Sequence, residues 1–277
     1  MIRRKDMLGL VDATAEEISE ILDTAANMKK LLRQGIKKLP HLEGCTATIL
    51  FYENSTRTRT SFELAAKYMG ATTINIAASS SSVAKGETLV DTGKTLDAMK
   101  NDFIIIRHPM GGAPYLLART VKASVLNAGD GMNEHPTQAL LDMCTMRERF
   151  GKIEGLKVAI LGDIKHSRVA KSNLFGLTKL GAEVRMYAPE TLIPKGIDRL
   201  GAKLCSSREE AVEGADVVMG LRIQLERQEA GNFPSLNEYA EFYGVNEKIL
   251  SLASPEAIVM HPGPVNRGGE LTGDVID

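Results

Sequence analysis

The chain has no tryptophan, few aromatic residues and only three cysteines, Cys45, Cys144 and Cys205. Aromatic residues make up 5% of its 277 residues. Three widely spaced cysteines form neither a CxxC pair nor an even-numbered disulfide framework. We therefore expect all three to be small buried hydrophobic residues in a reducing compartment.

A strong charge of either sign is also missing. The formal net charge is -1, from 34 Lys and Arg against 35 Asp and Glu. A nucleic-acid partner therefore has no electrostatic support from the chain as a whole. Any bound anion must be held by a local cluster of cations.

Long hydrophobic runs are absent too. No apolar run approaches the roughly 18 residues that cross a bilayer. The first residues, MIRRKDMLGLVDATAEE, include basic side chains but no apolar stretch typical of a signal peptide. We expect a cytoplasmic protein without a membrane partner.

Short apolar runs instead alternate with amphipathic ones along the chain, which predicts an α/β fold. Eight runs are predicted to be buried strands: 46–52, 72–76, 102–106, 124–128, 157–162, 183–188, 216–220 and 257–261. Given a soft prior of ~150 residues per domain, the length suggests two domains. The expected architecture is two doubly wound domains, each a parallel β-sheet flanked by helices.

The predicted border between the domains is a helix over residues 135–150. Pro136 suits its first turn and Gly151 its end, and a new strand–helix series begins at Lys157. We expect one domain over 1–134, a connecting helix over 135–150 and a second domain over 151–277. Ligands of open α/β sheets bind beyond the carboxyl ends of strands, so we expect an active site in the cleft.

The stretch FYENSTRTRTSFE (51–63) places two arginines and several hydroxyl residues where a strand passes into a helix. Arg57 opposes the helix dipole there, which a bound anion would compensate. The alternative is that Ser55 or Thr56 is only an N-cap and the arginines are solvated. Arg57 and Arg59 lie about 200° apart on a helix of ~3.6 residues per turn, so we assign Arg57 to the anion and pair Arg59 with Glu63.

This stretch resembles the carbamoyl phosphate-binding signature of the aspartate/ornithine carbamoyltransferase family. The similarity continues in order through SSVAKGETLVDT, IIIRHP, LNAGDGMNEHPTQALLD, LGDIKHSRVAKSN, LRIQLER and MHPGPVNRG, and covers nearly the entire chain. The loop with Ser81 and Lys85, the pair Arg222-x-Gln224, and His-Pro-Gly-Pro at 261–264 are similar to the aspartate enzymes. An ornithine enzyme would be expected to carry His-Cys-Leu-Pro and Ser-Met-Gly.

The resemblance implies two sets of substrate-binding residues. The implied contacts of carbamoyl phosphate are Ser55, Thr56, Arg57, Thr58, Ser81, Arg107, His135, Gln138, Pro262 and Gly263. The implied contacts of aspartate are Lys85, Arg168, Arg222 and Gln224. The implied catalytic residues are Arg57, Thr58, Lys85, Arg107 and His135.

Two of these residues also have a structural interpretation. Arg107 could be a surface arginine at a strand end, and His135 a capping group. His261 is expected to be structural, and Glu53 is a candidate interdomain partner. The family often has leucine or alanine where this chain has Gly263, which should leave a backbone carbonyl contact intact but make the turn more flexible.

The implied function is aspartate carbamoyltransferase activity, a step of de novo pyrimidine biosynthesis. The resemblance implies a homotrimer whose neighbouring subunits supply Ser81 and Lys85, and it leaves open association with a regulatory chain or a dihydroorotase. The resemblance implies no metal or organic cofactor. VAILGDIKHSR is similar to the first turn of a dinucleotide-binding fold but lacks G-x-G-x-x-G, so nicotinamide binding is not expected. The family usually continues for about one more helix beyond the position matching Asp277. The alternatives are ornithine or another amino-acid carbamoyltransferase, or a non-catalytic binding module.

Overall fold

The computed structural model describes residues 4–77, 85–224 and 235–277. The chain divides into two compact units, Met1–Thr137 and Gln138–Asp277. The border between the units falls inside a helix that begins at Pro136. The finer division at 134 and 150 stays a prediction.

The first unit is built around a four-stranded parallel sheet. Its elements in chain order are α1 (Ala15–Arg33), β1 (Thr46–Phe51), α2 (Thr56–Tyr68), β2 (Thr72–Ala77), α3 (Leu89–Ala98), β3 (Phe103–His108), α4 (Ala113–Thr120), β4 (Ser124–Asp130) and the start of α5 (Pro136–Phe150). The strand order is β2-β1-β3-β4.

The second unit contains the rest of α5 and a five-stranded parallel sheet. Its further elements are β5 (Lys157–Gly162), α6 (Arg168–Lys179), β6 (Glu183–Tyr187), β7 (Ala202–Leu204), α7 (Arg208–Val212), β8 (Val217–Leu221), α8 (Leu236–Tyr243), α9 (Glu247–Leu250), β9 (Ile258–Met260) and α10 (Gly273–Ile276). The strand order is β7-β6-β5-β8-β9. Two parallel sheets flanked by helices confirm the predicted fold class.

The central strands carry the cores. Ile49, Leu50 and Phe51 of β1 are buried, and so is nearly all of β5 and the whole of β8. Helices packed on both faces of a parallel sheet exclude water from its central strands, so these read as continuous apolar runs.

Two of the predicted buried strands are not buried. β2 and β9 have the predicted positions, yet none of their residues is fully buried. Both are edge strands with only one neighbour. An apolar run alone does not distinguish an edge strand from a central one, which is why the prediction was wrong here.

The cysteine prediction was also wrong in part. Cys45, Cys144 and Cys205 are free thiols, but all three are partly exposed rather than buried. Among the helices of the described part of the chain, none is long and apolar enough to span a membrane.

Each sheet brings the ends of two neighbouring strands together. In the first unit Phe51 of β1 lies beside Arg107 of β3. In the second unit Gly162 of β5 lies beside Leu221 of β8. A Cβ at Gly162 would lie 2.3 Å from the backbone oxygen of Leu221, and its φ is 127°, so only glycine permits this approach. The predicted site residues follow these strand ends.

Candidate functional site

At the start of α2 the N-cap side chain leaves the backbone N–H groups of the first turn uncapped. Ser55 has the extended conformation of an N-cap, but its side chain makes no capping hydrogen bond. The first turn contains no acidic residue. The N–H groups of the first turn therefore point beyond the helix end, where the dipole favours an anion.

The two arginines of α2 have different surroundings, as predicted. Arg57 is exposed, and no residue in the described ranges forms an ion pair or hydrogen bond with its side chain. The Arg59 guanidinium lies over the Phe51 ring, 5.8 Å from its centroid. Arg57 is thus the cation that remains available to a ligand at this helix end.

The predicted ion pair of Arg59 and Glu63 is not present among the described residues, although the pKa of Glu63 is lowered by the Lys67 hydrogen bond and, to a smaller extent, by the Arg59 charge. Glu63 Oε1 instead accepts a hydrogen bond from Lys67 Nζ at 2.7 Å. Glutamate placed four residues before lysine is the favourable orientation of such a pair on a helix. Arg59 turns toward β1, where its cationic plane covers the aromatic ring of Phe51.

Arg107 connects the end of β3 to the start of α2. Its Nε donates to Glu53 Oε2 at 3.0 Å and its Nη1 to Thr58 Oγ1 at 3.4 Å. The backbone N–H of Tyr52 donates to the Arg107 carbonyl at 2.8 Å. These contacts hold the guanidinium beside the helix end, as the strand-end prediction required. Glu53 contacts Arg107 within its own unit, and its interdomain role stays a prediction.

Two further aromatic groups border this cluster and carry no charge at neutral pH. The rings of Tyr52 and His108 lie 4.5 Å apart. Burial lowers the pKa of His108 and raises the pKa of Tyr52. The positive charge of this part of the unit therefore comes from its arginines.

His135 directly precedes α5 and is buried, at 7% exposure. Its Nδ1 lies 3.5 Å from Thr137 Oγ1. If Thr137 donates to Nδ1, the imidazole proton is on Nε2, which suits a donor to a substrate oxygen.

The loop before His135 is fixed by two acidic residues that sequence reasoning missed. Asp130 Oδ1 accepts from the Glu134 N–H at 3.0 Å. Glu134 in turn accepts from the N–H groups of Leu10 and Val11. Both carboxylates are buried. A carboxylate ending an apolar strand was the available signal for Asp130, which ends β4.

The loop predicted to reach a neighbouring subunit is only partly described. Lys85 is exposed. Ser81 lies outside the described residues.

In the second unit the β5–α6 loop carries Arg168. It is the first residue of α6 and is 4% exposed. Ser167 caps the helix by accepting from the Ala170 N–H. A nearly buried arginine at a helix start is a costly placement unless acceptors surround it.

Asp163, which sequence reasoning also missed, links this loop to the segment after β8. It is fully buried, and its Oδ1 contacts His166 Nδ1 at 2.8 Å. Its Oδ2 accepts from the Gln224 N–H at 3.1 Å. Asp163 therefore ties the loop that precedes Arg168 to the backbone of Gln224.

Arg222 and Gln224 lie on one side of an extended segment, as predicted. Both are partly exposed, whereas Ile223 between them is buried. Arg222 Nη2 donates to Gln224 Oε1 at 3.1 Å. This bond orients the Gln224 amide and brings a planar cation to the end of β8.

The turn after β9 is held by His261, whose predicted structural position agrees with its contacts. Its Nδ1 accepts from the Gly263 N–H at 2.8 Å, which places the ring proton on Nε2, 3.2 Å from Glu270 Oε1. Gly263 has a φ of 65°, so a residue with a Cβ would be strained there. These contacts fix the backbone of the turn, in which Pro262 and Gly263 are partly exposed.

Gln138 is the third residue of α5, and its Nε2 donates to Asp142 Oδ1 at 2.9 Å. Within the described ranges no group of three or more His, Cys, Asp or Glu side chains is arranged to hold a metal ion.

Two family descriptions together match almost the whole chain. "Aspartate/ornithine carbamoyltransferase, carbamoyl-P binding domain" matches residues 5–148, and "Aspartate/ornithine carbamoyltransferase, Asp/Orn binding domain" matches residues 154–277. The chain belongs to the aspartate/ornithine carbamoyltransferase family. The family predicted from the sequence motifs is thereby confirmed.

Within this carbamoyltransferase family, two of the most similar curated relatives are aspartate carbamoyltransferase catalytic subunits. The one from Ruminiclostridium cellulolyticum is 63% identical over 276 residues, which is 100% of this chain and 88% of the relative. The one from Acetivibrio thermocellus is 62% identical over 277 residues, covering 100% of this chain and 89% of the relative.

Solved structures of both branches of the family resemble this chain. Aspartate transcarbamoylase from Trypanosoma cruzi, in complex with carbamoyl aspartate and phosphate, has a TM-score of 0.86 at 31% identity. The match covers 98% of this chain and 88% of the Trypanosoma cruzi chain. Ornithine carbamoyltransferase from Pyrococcus furiosus has a TM-score of 0.88 at 34% identity, with the same coverage. The fold is thus shared by both branches and does not distinguish their substrates.

Proposed function

We propose that the chain is an aspartate carbamoyltransferase of pyrimidine biosynthesis. It transfers the carbamoyl group of carbamoyl phosphate to the α-amine of L-aspartate and releases N-carbamoyl-L-aspartate and phosphate. The observation that carries this proposal is the identity of about 60% to aspartate carbamoyltransferase catalytic subunits over the whole chain. The arrangement of cationic groups in each unit supports it.

Carbamoyl phosphate needs an anion site and a separate donor for its carbonyl oxygen. The start of α2, with Ser55, Thr56, Arg57 and Thr58, suits the phosphate because its N–H groups are not capped by the Ser55 side chain and an exposed guanidinium lies beside them. Arg107 and His135 would donate to the carbonyl oxygen, where negative charge develops during the reaction.

The second substrate decides between the two branches of the family. Aspartate brings two carboxylates, whereas ornithine brings one carboxylate and a cationic side chain. Arg168 and Arg222 suit two carboxylates, because a guanidinium can grip each through two parallel hydrogen bonds. Ornithine would react through its side-chain amine, so its α-ammonium would face the same arginines and be repelled by them, and Lys85 adds a further cation.

The reaction begins when the nitrogen lone pair of aspartate attacks the carbamoyl carbon. A tetrahedral intermediate forms, the bond from carbon to the phosphate oxygen breaks, and the amine proton moves to the departing phosphate. No protein base is needed, so the residues of this chain act by positioning and electrostatic stabilisation. Pro262 and Gly263 would contribute backbone carbonyls, and Gln138 an amide, to hold the carbamoyl NH2 group.

We also propose that the chain acts as a homotrimer in the cytoplasm, in which Ser81 and Lys85 serve the substrates of a neighbouring subunit. The exposure of Lys85 supports this proposal. Mixing two inactive variants tests it. Lys85→Ala and Arg107→Ala chains are dissociated and reassembled together, and activity should return. In the mixed trimers some sites combine the Arg107 of one subunit with the Lys85 of its neighbour. No recovery, with trimers formed, would rule out sharing.

The proposed activity has a direct test. Purified protein is incubated with carbamoyl phosphate and either aspartate or ornithine, and the ureido product is measured by colour. Product from aspartate, and little from ornithine, is expected. Product from ornithine alone would assign the other branch, and product from neither would favour a non-catalytic binding module.

A further inference from the structure

We infer that Asp142 is a positioning residue that makes Gln138 present its carbonyl oxygen, rather than its NH2 group, to the carbamoyl amide. This inference rests on the proposed function, because it assigns Gln138 to the carbamoyl group. It goes further by naming the residue that gives Gln138 its selectivity for a nitrogen-bearing acyl group.

Asp142 is buried at the centre of a small hydrogen-bonded network. It lies one turn after Gln138 on α5 and is 5% exposed. Its Oδ1 accepts from Gln138 Nε2 at 2.9 Å, and its Oδ2 accepts from Asn173 Nδ2 at 2.7 Å. Both carboxylate oxygens are therefore engaged by side-chain amides.

The donor side of this network is fixed as well. Asn173 is buried on α6, and its Nδ2 also lies within hydrogen-bond distance of the Val169 carbonyl oxygen. Asn173 must therefore donate toward Asp142, which keeps the carboxylate from rotating. The Asp142 carboxylate is thus held by Asn173 at one oxygen while its other oxygen faces Gln138.

An ionised carboxylate has no proton to donate, so Gln138 can satisfy it only with its NH2 group. The carboxamide is then locked in one of its two orientations, and Oε1 points away from Asp142 as an acceptor. An acceptor matches the NH2 of a carbamoyl group. It has nothing to bind on an acetyl group, which has a methyl in that place.

The ionisation of Asp142 supports this orientation at neutral pH. Burial raises the pKa of Asp142 to about 6, and the hydrogen bonds from Asn173 and Gln138 and the nearby His261 oppose the rise. His261 itself contacts the buried Glu270. At pH 7 to 8 the carboxyl group is therefore the acceptor that the network requires.

A double-mutant cycle tests the inference with Asp142→Asn, Gln138→Ala and the double variant. We measure kcat/KM for carbamoyl phosphate, and the inhibition constant of acetyl phosphate as the probe without an NH2 group. Asp142→Asn is nearly isosteric but can offer either an oxygen or an NH2 group, so Gln138 loses its fixed orientation. We expect kcat/KM to fall about 10- to 150-fold, the size of one hydrogen bond to a charged partner.

The expected pattern across the cycle is specific. In the Gln138→Ala background, Asp142→Asn should lower kcat/KM less than 2-fold, since Asp142 acts through the missing side chain. The inhibition constant of acetyl phosphate should change less than 2-fold in every variant. Asn173→Ala is the control for a lost hydrogen bond at the same carboxylate: it should lower the melting temperature but reduce kcat/KM less than Asp142→Asn does.

Two outcomes overturn the inference in distinguishable ways. An active wild type with additive effects of the two substitutions, or with acetyl phosphate binding weakened in parallel, contradicts the role of Asp142 alone. An inactive wild type contradicts the proposed function and this inference with it. If Asp142→Asn does not fold, Asp142→Ser gives the same test, because its shorter hydroxyl removes the obligate acceptor that fixes the Gln138 amide.

Discussion

Two arginines only two positions apart show how a single residue acquires a role. Arg57 is exposed at a helix start whose dipole disfavours it, while Arg59 covers the ring of Phe51. A cation placed against the dipole costs stability unless an anion accompanies it. We therefore explain the position of Arg57 by a bound anion, and the position of Arg59 by its packing on Phe51.

Replacing each arginine by alanine should separate these roles. Arg57→Ala should lower kcat/KM for carbamoyl phosphate about 10- to 100-fold, because it removes a charge-assisted hydrogen bond. Arg59→Ala should change the free energy of unfolding by about 1 kcal/mol or less, the size of a cation–π contact. Steady-state kinetics and urea unfolding of both variants check this, and equal kinetic losses would contradict the assignment.

In the proposed mechanism the chemical step depends most on Arg107. Losing one donor to a developing oxyanion typically lowers turnover about 10²- to 10³-fold, which we expect for Arg107→Ala. Arg119→Ala is the matched control, because Arg119 is an exposed arginine on α4. Near-normal turnover of Arg107→Ala would contradict the role of Arg107.

At the scale of elements, α1 and α2 begin in different ways. In α1 the Thr14 side chain accepts from the Glu17 N–H, and the Glu17 side chain accepts from the Thr14 N–H, which is a complete capping box. In α2 the Ser55 side chain makes no capping bond. The side chains at the start of α1 thus pair with the backbone N–H groups of its first turn. The N-cap side chain of α2 does not, which fits a start that binds an anion.

The two caps should respond differently to alanine. Thr14→Ala should lower the free energy of unfolding by about 1 kcal/mol and leave kcat/KM unchanged. Ser55→Ala should alter stability by less than about 0.5 kcal/mol, since no capping bond is lost, but should weaken carbamoyl phosphate binding. A large stability loss in Ser55→Ala would show that Ser55 is an ordinary cap.

The strand–helix alternation and the helix start at Ser55 could be predicted because they depend on local periodicity and capping chemistry. The exposure of β2 and β9 could not, because the neighbours of a strand are set by the whole sheet. The partners of Arg59 and Glu63 depended on where β1 places Phe51. The helix α1 was missed, although Thr14 and Glu17 carry the spacing of a capping box.

Candidate site residues could be predicted where they lie at a strand end or a helix start, but not where they support another residue. Arg107 lies at the end of a strand, His135 directly precedes a helix and Arg168 begins one, so their positions could be inferred from the pattern. Asp142 and Asp163 act across elements that are distant in sequence, on Asn173 and on the Gln224 backbone. No local spacing indicates such contacts.

For the molecule as a whole, the buried Asp142 links stability to pH. Its pKa of about 6 lies above the ordinary value of 3.8, so the folded state holds this proton more tightly than the unfolded state does. The Asp142 contribution to stability should therefore fall as pH rises from about 4 to 6, by roughly 3 kcal/mol in total.

Asp142→Asn should remove this part of the pH dependence. Unfolding free energies of wild type and variant, measured by urea at several pH values between 4 and 7, should differ by an amount that changes with pH in this window. The difference should favour the variant increasingly as pH rises. Parallel curves would contradict the shifted ionisation of Asp142.

The most direct test of the central claim follows the carbamoyl carbon itself. With ¹³C-labelled carbamoyl phosphate and equal concentrations of aspartate and ornithine, NMR shows which amine receives the label. The account predicts that the label appears in N-carbamoyl-L-aspartate, with phosphate released in equal amount, and that Arg107→Ala slows this about 10²-fold or more. Label in citrulline, or label remaining in carbamoyl phosphate, would contradict it.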